Sequence, residues 1–324
     1  MQIDKITFND ISIFHTEEEF SIFHKLNFTK TTGGKEWLRR FFSEPHHDLK
    51  RIIGTQNIIK TILEHLDDWP NEITNGTVLM IDKFMDYSLD PVPQSLNPVN
   101  AFSYKILHAQ DYSMIKYSVK HLSDFYRGLK KLLVLLSATQ LPPHLSFYID
   151  RIKNILKERP LQQLAGIISE QKLSSQQNLY FAYHLRGRYK TDTLELIEIF
   201  SRLEAWYSMA MAVKNFGLKF PEFLEQEEPY FEAKGLYHVL LQAPIAYDLS
   251  LQPNENFLFL TGANMAGKST LIKALGSSVF LAHIGMAVPA KCMRLSLLMD
   301  YLPTSMYLTT LQKGRAIFLT KCNG

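Results

Sequence analysis

The densest chemistry in the chain lies in FLFLTGANMAGKSTLIKAL, residues 257–275. Gly262, Gly267, Lys268 and Ser269 fit the spacing G-x-x-x-x-G-K-[ST]. That spacing has a physical purpose. Two glycines let the backbone wrap closely around phosphate oxygens, so that successive N–H groups point inward. A helix that starts there adds the positive end of its dipole. Lys268 supplies a mobile cation for the terminal phosphates, and the Ser269 hydroxyl can join the shell of a Mg²⁺ ion. From average residue usage, a chance match in 324 residues is on the order of 1%.

The elements around the loop have to position it. Tyr230–Leu241, Asp248–Leu251 and Phe257–Thr261 read as short strands, the last one buried, and Lys268–Ile284 as a long apolar helix. Strand, glycine loop, helix is the opening of an α/β domain. Everything before Gly217 reads as helical. Glu17–Phe28 and Gly34–Phe42 are candidate helices, and Asp48–Leu66 carries Leu49, Ile52, Ile53, Ile58, Ile59, Ile62 and Leu63 at helical spacing. Ser88–Asn100, with Pro91, Pro93 and Pro98, reads as a connection. The clearest helix runs from Thr193 to Phe216. Asp192 and Glu195 suggest a capping-box start, and Leu194, Ile197, Phe200, Leu203 and Trp206 an apolar stripe for packing. Gly217 suits a C-terminal cap.

Bulk properties set the frame. Hydrophobic residues make up 46% and charged residues 21% of the chain, an ordinary balance for a globular protein, and 324 residues suggest two domains. A net charge of +3 neither demands nor excludes a nucleic-acid partner. Cys292 and Cys322 are the two cysteines, too few for a disulfide framework or a cysteine metal site, so a reducing, cytoplasmic compartment is expected. No apolar run reaches the roughly 18 residues of a membrane span, and MQIDKITFND is too polar for a signal peptide.

The residues around the loop go further than a generic phosphate site. TGANMAGKST followed by LAHIGMAVPA resembles the MutS family of DNA mismatch-repair ATPases, whose loop reads TG-x-NM-x-GKST before A-x-IG-x-x-VPA. Asn264 and Met265 are the diagnostic pair. GLYHVLL is similar to the family's G-x-x-HP segment, with Val239 in place of proline. APIAYDLSL resembles the segment that borders the adenine, with Tyr247 where asparagine is usual. LNFTKTTGGKEWLRRFFSEPHHDLKRIIGTQNII is similar to the start of the family's helical core, so the likeness covers about residues 20–297.

The resemblance implies a mainly α-helical core/lever domain over 1–217, then the first part of an α/β P-loop (ABC-type) ATPase domain over 218–297. It implies ATP and Mg²⁺ as cofactors. Gly262, Asn264, Met265, Ala266, Gly267, Lys268, Ser269, Thr270 and Ile245 would bind the nucleotide, with Ser269 holding the metal. It implies DNA as a partner through the helical core, and a homodimer. Arg186, Arg188 and Lys190, or Lys35, Arg39 and Arg40, are candidate backbone contacts; the plainer alternative is a solvated helix face. The family's mismatch-reading domain and DNA-clamping insertion have no counterpart here, so a short MutS-like protein is expected.

After Leu297 the family pattern stops. The Walker B Asp-Glu pair has no counterpart, and Asp300 is the last acidic residue. Without those groups the loop is a cradle lacking the machinery that activates water. The shifted reading frame over 298–324 forces Gly at Met299–Asp300, Leu at Asp300–Tyr301 and Val at Met306–Tyr307, and permits DGLFTNINVPDNLAKGQSYFFNEVQR, a string of the family's type. The tail is therefore read as out of frame, with no strand able to form beside the one before the loop. Two functions compete: an ATP- and DNA-binding MutS-like protein, incomplete and not hydrolytically competent as written, and a non-enzymatic binding module with a residual phosphate site. A different P-loop enzyme such as a kinase is disfavoured by Asn264–Met265 and the VPA segment.

Overall fold

Capping chemistry sets most helix starts. Ser21 caps α1 (Ile22–Lys25), accepting from the His24 N–H. Helix α2 (Thr32–Phe41) follows, and Asp48 caps α3 (Leu49–Leu63) by accepting from the Lys50 N–H. Thr74 opens α4 (Asn75–Asp86), and Asn97 opens α5 (Pro98–Leu107), which begins inside the stretch read as a connection. Next come α6 (Ala109–Ser137), α7 (Pro143–Ile155) and α8 (Arg159–Ala165). A full capping box between Ser174 and Gln177 starts α9 (Ser175–Arg186). Helix α10 (Lys190–Phe216) closes the helical part. The structure is a computed structural model and describes residues 10–93, 97–137, 140–168, 171–226, 228–255, 257–261, 267–297, 302–304, 307–312 and 315–321, the last three stretches by backbone alone.

Two readings of α10 are corrected. Asp192 and Glu195 do not cap it, because the helix has already begun at Lys190; both carboxylates turn to Arg151, Glu195 through two hydrogen bonds of 2.6 Å. The buried stripe is also displaced. Leu194 is 40% exposed, while Leu196, Ile199, Phe200, Leu203 and Trp206 are buried. Packing partners select the face, and a helix apolar on several sides does not announce which one wins. Gly217 does end α10, at φ +61°, with the Leu218 N–H donating to Val213 O at 3.2 Å.

The chain forms two compact units that do not follow chain order. One comprises Thr29–Lys35 and His65–Glu204, the other Met1–Phe28, Glu36–Glu64 and Ala205–Gly324. In the first, the 29-residue α6 is the central beam, and α4, α5, α7, α8 and α9 pack on it. Ile115, Val119, Leu122, Phe125, Leu129 and Leu132 form its buried stripe. Each fully buried side chain of this size contributes about 1.5–3 kcal/mol.

The second unit holds the strands. β1 (Glu222–Leu224), β5 (Cys292–Ser296), β2 (Phe231–Leu236) and β3 (Tyr247–Leu251) form one mixed sheet in that order. β4 (Phe257–Leu260), β8 (Arg315–Lys321), β7 (Tyr307–Gln312) and β6 (Leu302–Thr304) form another. Helix α11 (Lys268–His283) lies between β4 and β5 in the chain. The expectation that no strand forms beside β4 is corrected: β8 pairs with it in parallel, Phe257 opposite Phe318 through Leu260 opposite Lys321. The run Ala316–Thr320 is apolar and β-prone, which suits such a strand. The reading of β4 as buried is corrected as well. It lies at the edge of its sheet, with Phe257 58% and Phe259 55% exposed.

Candidate nucleotide-binding site

The segments singled out around the loop meet within the second unit. Gly267 caps α11 in the left-handed conformation, φ +86°. Such a backbone suits glycine, and here space matters as well: a Cβ would lie 3.0 Å from the Tyr247 hydroxyl. Lys268, Ser269 and Thr270 follow in the first turn, Ser269 exposed and the other two half-buried. No acidic side chain stands in that turn, so the orphan N–H groups of a 16-residue helix face no competing carboxylate of their own. Gly262, Asn264, Met265 and Ala266 lie outside the described residues.

Ile245, 74% exposed, sits just before β3, and Tyr247 is the first residue of that strand. The Tyr247 hydroxyl beside Gly267 is the contact that sequence reasoning missed: it registered tyrosine only as a departure from asparagine.

The GLYH segment is held by a bulge. The β2–β3 register shifts between Ala233 and Leu236, with Gly235 at φ +63°, and its N–H donates to Asp248 Oδ1 at 2.7 Å. The VPA segment docks against it: Tyr237 N–H donates to Pro289 O at 3.0 Å and Lys291 N–H to Lys234 O at 2.9 Å. His238 is 6% exposed, and its Nε2 has no hydrogen-bond partner among the described residues. Burial lowers its pKa to about 4, helped by the positive charges of Lys273 and Lys25. It is neutral at physiological pH. Lys273, on α11, donates to the Ser12 hydroxyl at 3.4 Å.

A cradle of this kind fits a phosphate and its metal. Backbone N–H groups, a lysine and a hydroxyl share one helix start, and the required glycine conformation is present.

The expected DNA contacts fare differently. Arg186 donates to Tyr87 O at 2.5 Å and stacks over the Phe84 ring. Lys190 donates to Met85 O at 2.8 Å, and Arg188 lies 3.8 Å from Glu158. Arg39 sits over Phe14 and Arg40 over Trp37. These cations serve the chain's own packing; Lys35 is exposed. Among the described residues no helix is long and apolar enough to cross a membrane.

Comparison with known proteins agrees with the loop's spelling. The family model of MutS domain V matches residues 258–323, from β4 through the tail. The chain is 28% identical over 166 residues to MutS protein homolog 5 of Caenorhabditis elegans. That match covers 48% of this chain and 12% of the relative, so the chain spans a small part of the curated protein it matches.

Proposed function

Since the chain belongs to the MutS family, we propose that it is an ATP- and DNA-binding protein of mismatch repair or related DNA metabolism. The observation that carries the nucleotide reading is the left-handed Gly267 at the head of α11, followed by Lys268, Ser269 and Thr270. In this reading Lys268 holds the terminal phosphates. The backbone from Asn264 to Gly267 receives phosphate oxygens, Ser269 or Thr270 offers a hydroxyl to Mg²⁺, and Ile245 borders the base. The bound metal would neutralise charge on the phosphates. Dimerisation and a cytoplasmic location belong to the same proposal.

A second reading is binding without turnover, a non-enzymatic module with a residual phosphate site. Activation of water needs an acidic or polar group that positions the nucleophile. One experiment addresses both readings. A fluorescent ATP analogue is titrated into wild type and Lys268→Ala, and steady-state hydrolysis is followed on the same samples. We expect binding by wild type, at least a tenfold loss in the variant, and no hydrolysis above background in either. Identical titrations refute the phosphate site; turnover that disappears with Lys268→Ala refutes the binding-only reading.

A further inference from the structure

Arg186, Arg188, Lys190, Arg39 and Arg40 are engaged elsewhere, yet the helical unit holds four lysines with no acidic partner among the described residues, one of which, Lys105, lies 5.8 Å from the centre of the Tyr112 ring. Lys116 and Lys120 stand four residues apart on α6, about 6 Å along the axis, and both are exposed. With Lys105 of α5 and Lys172 before α9 they line one cleft of about 740 Å³. Among the described residues no carboxylate pairs with any of the four, and Asp124, which lines the same cleft, is taken by Arg127. Like charges one turn apart, such as Lys116 and Lys120, disfavour a helix. Ser174 and Ser175, at the positive end of α9, complete the rim.

We propose that this cleft is an anion site, built from residues outside the phosphate loop, that takes the phosphodiester backbone of a nucleic acid. The choice of polyanion rests on the DNA part of the proposed function; the site itself rests on the lysines. Their distribution decides against a single small phosphate. The cations are spread along the walls, are point charges without arginine's planar fork, and are all exposed. Such an arrangement positions a backbone without reading bases.

The test uses the full chain and a labelled mixed-sequence DNA duplex, followed by fluorescence anisotropy across a salt series. Lys116→Gln/Lys120→Gln is expected to weaken binding at least tenfold at low salt and to make the slope of log K against log salt shallower by about 2. Lys130→Gln/Lys153→Gln makes the same charge change at exposed lysines that do not line the cleft, and is expected to keep the wild-type slope. Circular dichroism and thermal unfolding must match wild type for both variants, and single substitutions replace any pair that does not. The inference is overturned if wild type does not bind the duplex, if the cleft variant keeps wild-type slope and affinity, or if the control pair loses as much. It is also overturned if inorganic triphosphate occupies the cleft as tightly as the duplex, which would assign it to a free phosphate ligand. Lys268→Ala keeps the two proposals separable: it should lose the ATP analogue and retain the duplex.

Discussion

At the scale of single residues, burial of titratable groups gives two opposite pH dependences. Glu204 is 2% exposed and accepts from Lys30 N–H at 2.7 Å, Thr31 N–H at 3.1 Å and the Thr31 hydroxyl. Desolvation nevertheless raises its pKa above 4.5, outweighing those hydrogen bonds. Its folded form prefers the proton, so its contribution is greatest below 4.5 and is lost as pH rises through the folded pKa. His238 works the other way. Its pKa falls from 6.5 to about 4, so its contribution is present above 6.5 and is lost as pH drops toward 4. Chemical denaturation at several pH values should therefore show wild type losing ground to Glu204→Gln as pH rises from 4.5 to 7. It should lose ground to His238→Leu as pH falls from 6.5 to 4. Parallel curves for wild type and variant would refute the assignment. Neither environment is written in the local sequence, since Thr31 and Lys30 reach Glu204 from more than 170 positions away.

At the scale of elements, glycines mark where helices must stop or touch. Gly285 ends α11 at φ +76°: its N–H donates to Ala282 O at 3.0 Å and that of Met286 to Leu281 O at 2.9 Å. A Cβ there would meet Thr55 Cβ at 2.6 Å and the Ile52 carbonyl oxygen at 3.0 Å, both from α3. The Ile-Gly pair before VPA thus serves helix termination and close approach at once. Gly285→Ala should cost about 1–2 kcal/mol for the left-handed backbone and about 1–3 more for overpacking. A lowered urea midpoint with an unchanged slope would show it; an unchanged midpoint would mean that α3 and α11 have room to separate. Gly34 follows the same logic on α2, where a Cβ would run into the Glu204 carboxylate. The glycine pair in TTGGKEW is therefore legible as a pattern, but its reason lies on α10.

At the scale of the whole molecule, the tail is the open element. Three tail strands, one of them parallel to β4, and a family match that runs to residue 323 are what an in-frame tail gives. Forced Gly, Leu and Val at Met299–Asp300, Asp300–Tyr301 and Met306–Tyr307 are what a frame slip gives. The nucleotide sequence across codons 298–324 decides. A slip requires those codons to spell the DGLFTNIN string in the shifted frame and an Asp-Glu strand to follow; codons that cannot spell it rule the slip out. In the chain as it stands, Phe257 and Phe259 are exposed on an edge strand, a liability for edge-to-edge association.

What the sequence determined by itself is the chemistry that depends on neighbours in the chain. The helix that starts at Lys268, the glycine cap at Gly217 and the strand Phe231–Leu236 inside the span read as Tyr230–Leu241 are local, because glycine freedom, caps and periodicity act over a few residues. The tertiary structure decided everything that depends on distant partners. It chose the buried face of α10, sent Asp192 and Glu195 to Arg151, and set Tyr247 beside Gly267. It also engaged the expected DNA-binding arginines within the chain, while Lys116 and Lys120 have no paired carboxylate among the described residues. The reason is the same in each case: a side chain's spacing fixes which neighbours it can reach along its own element, whereas its free energy is set by whatever the rest of the fold places against it.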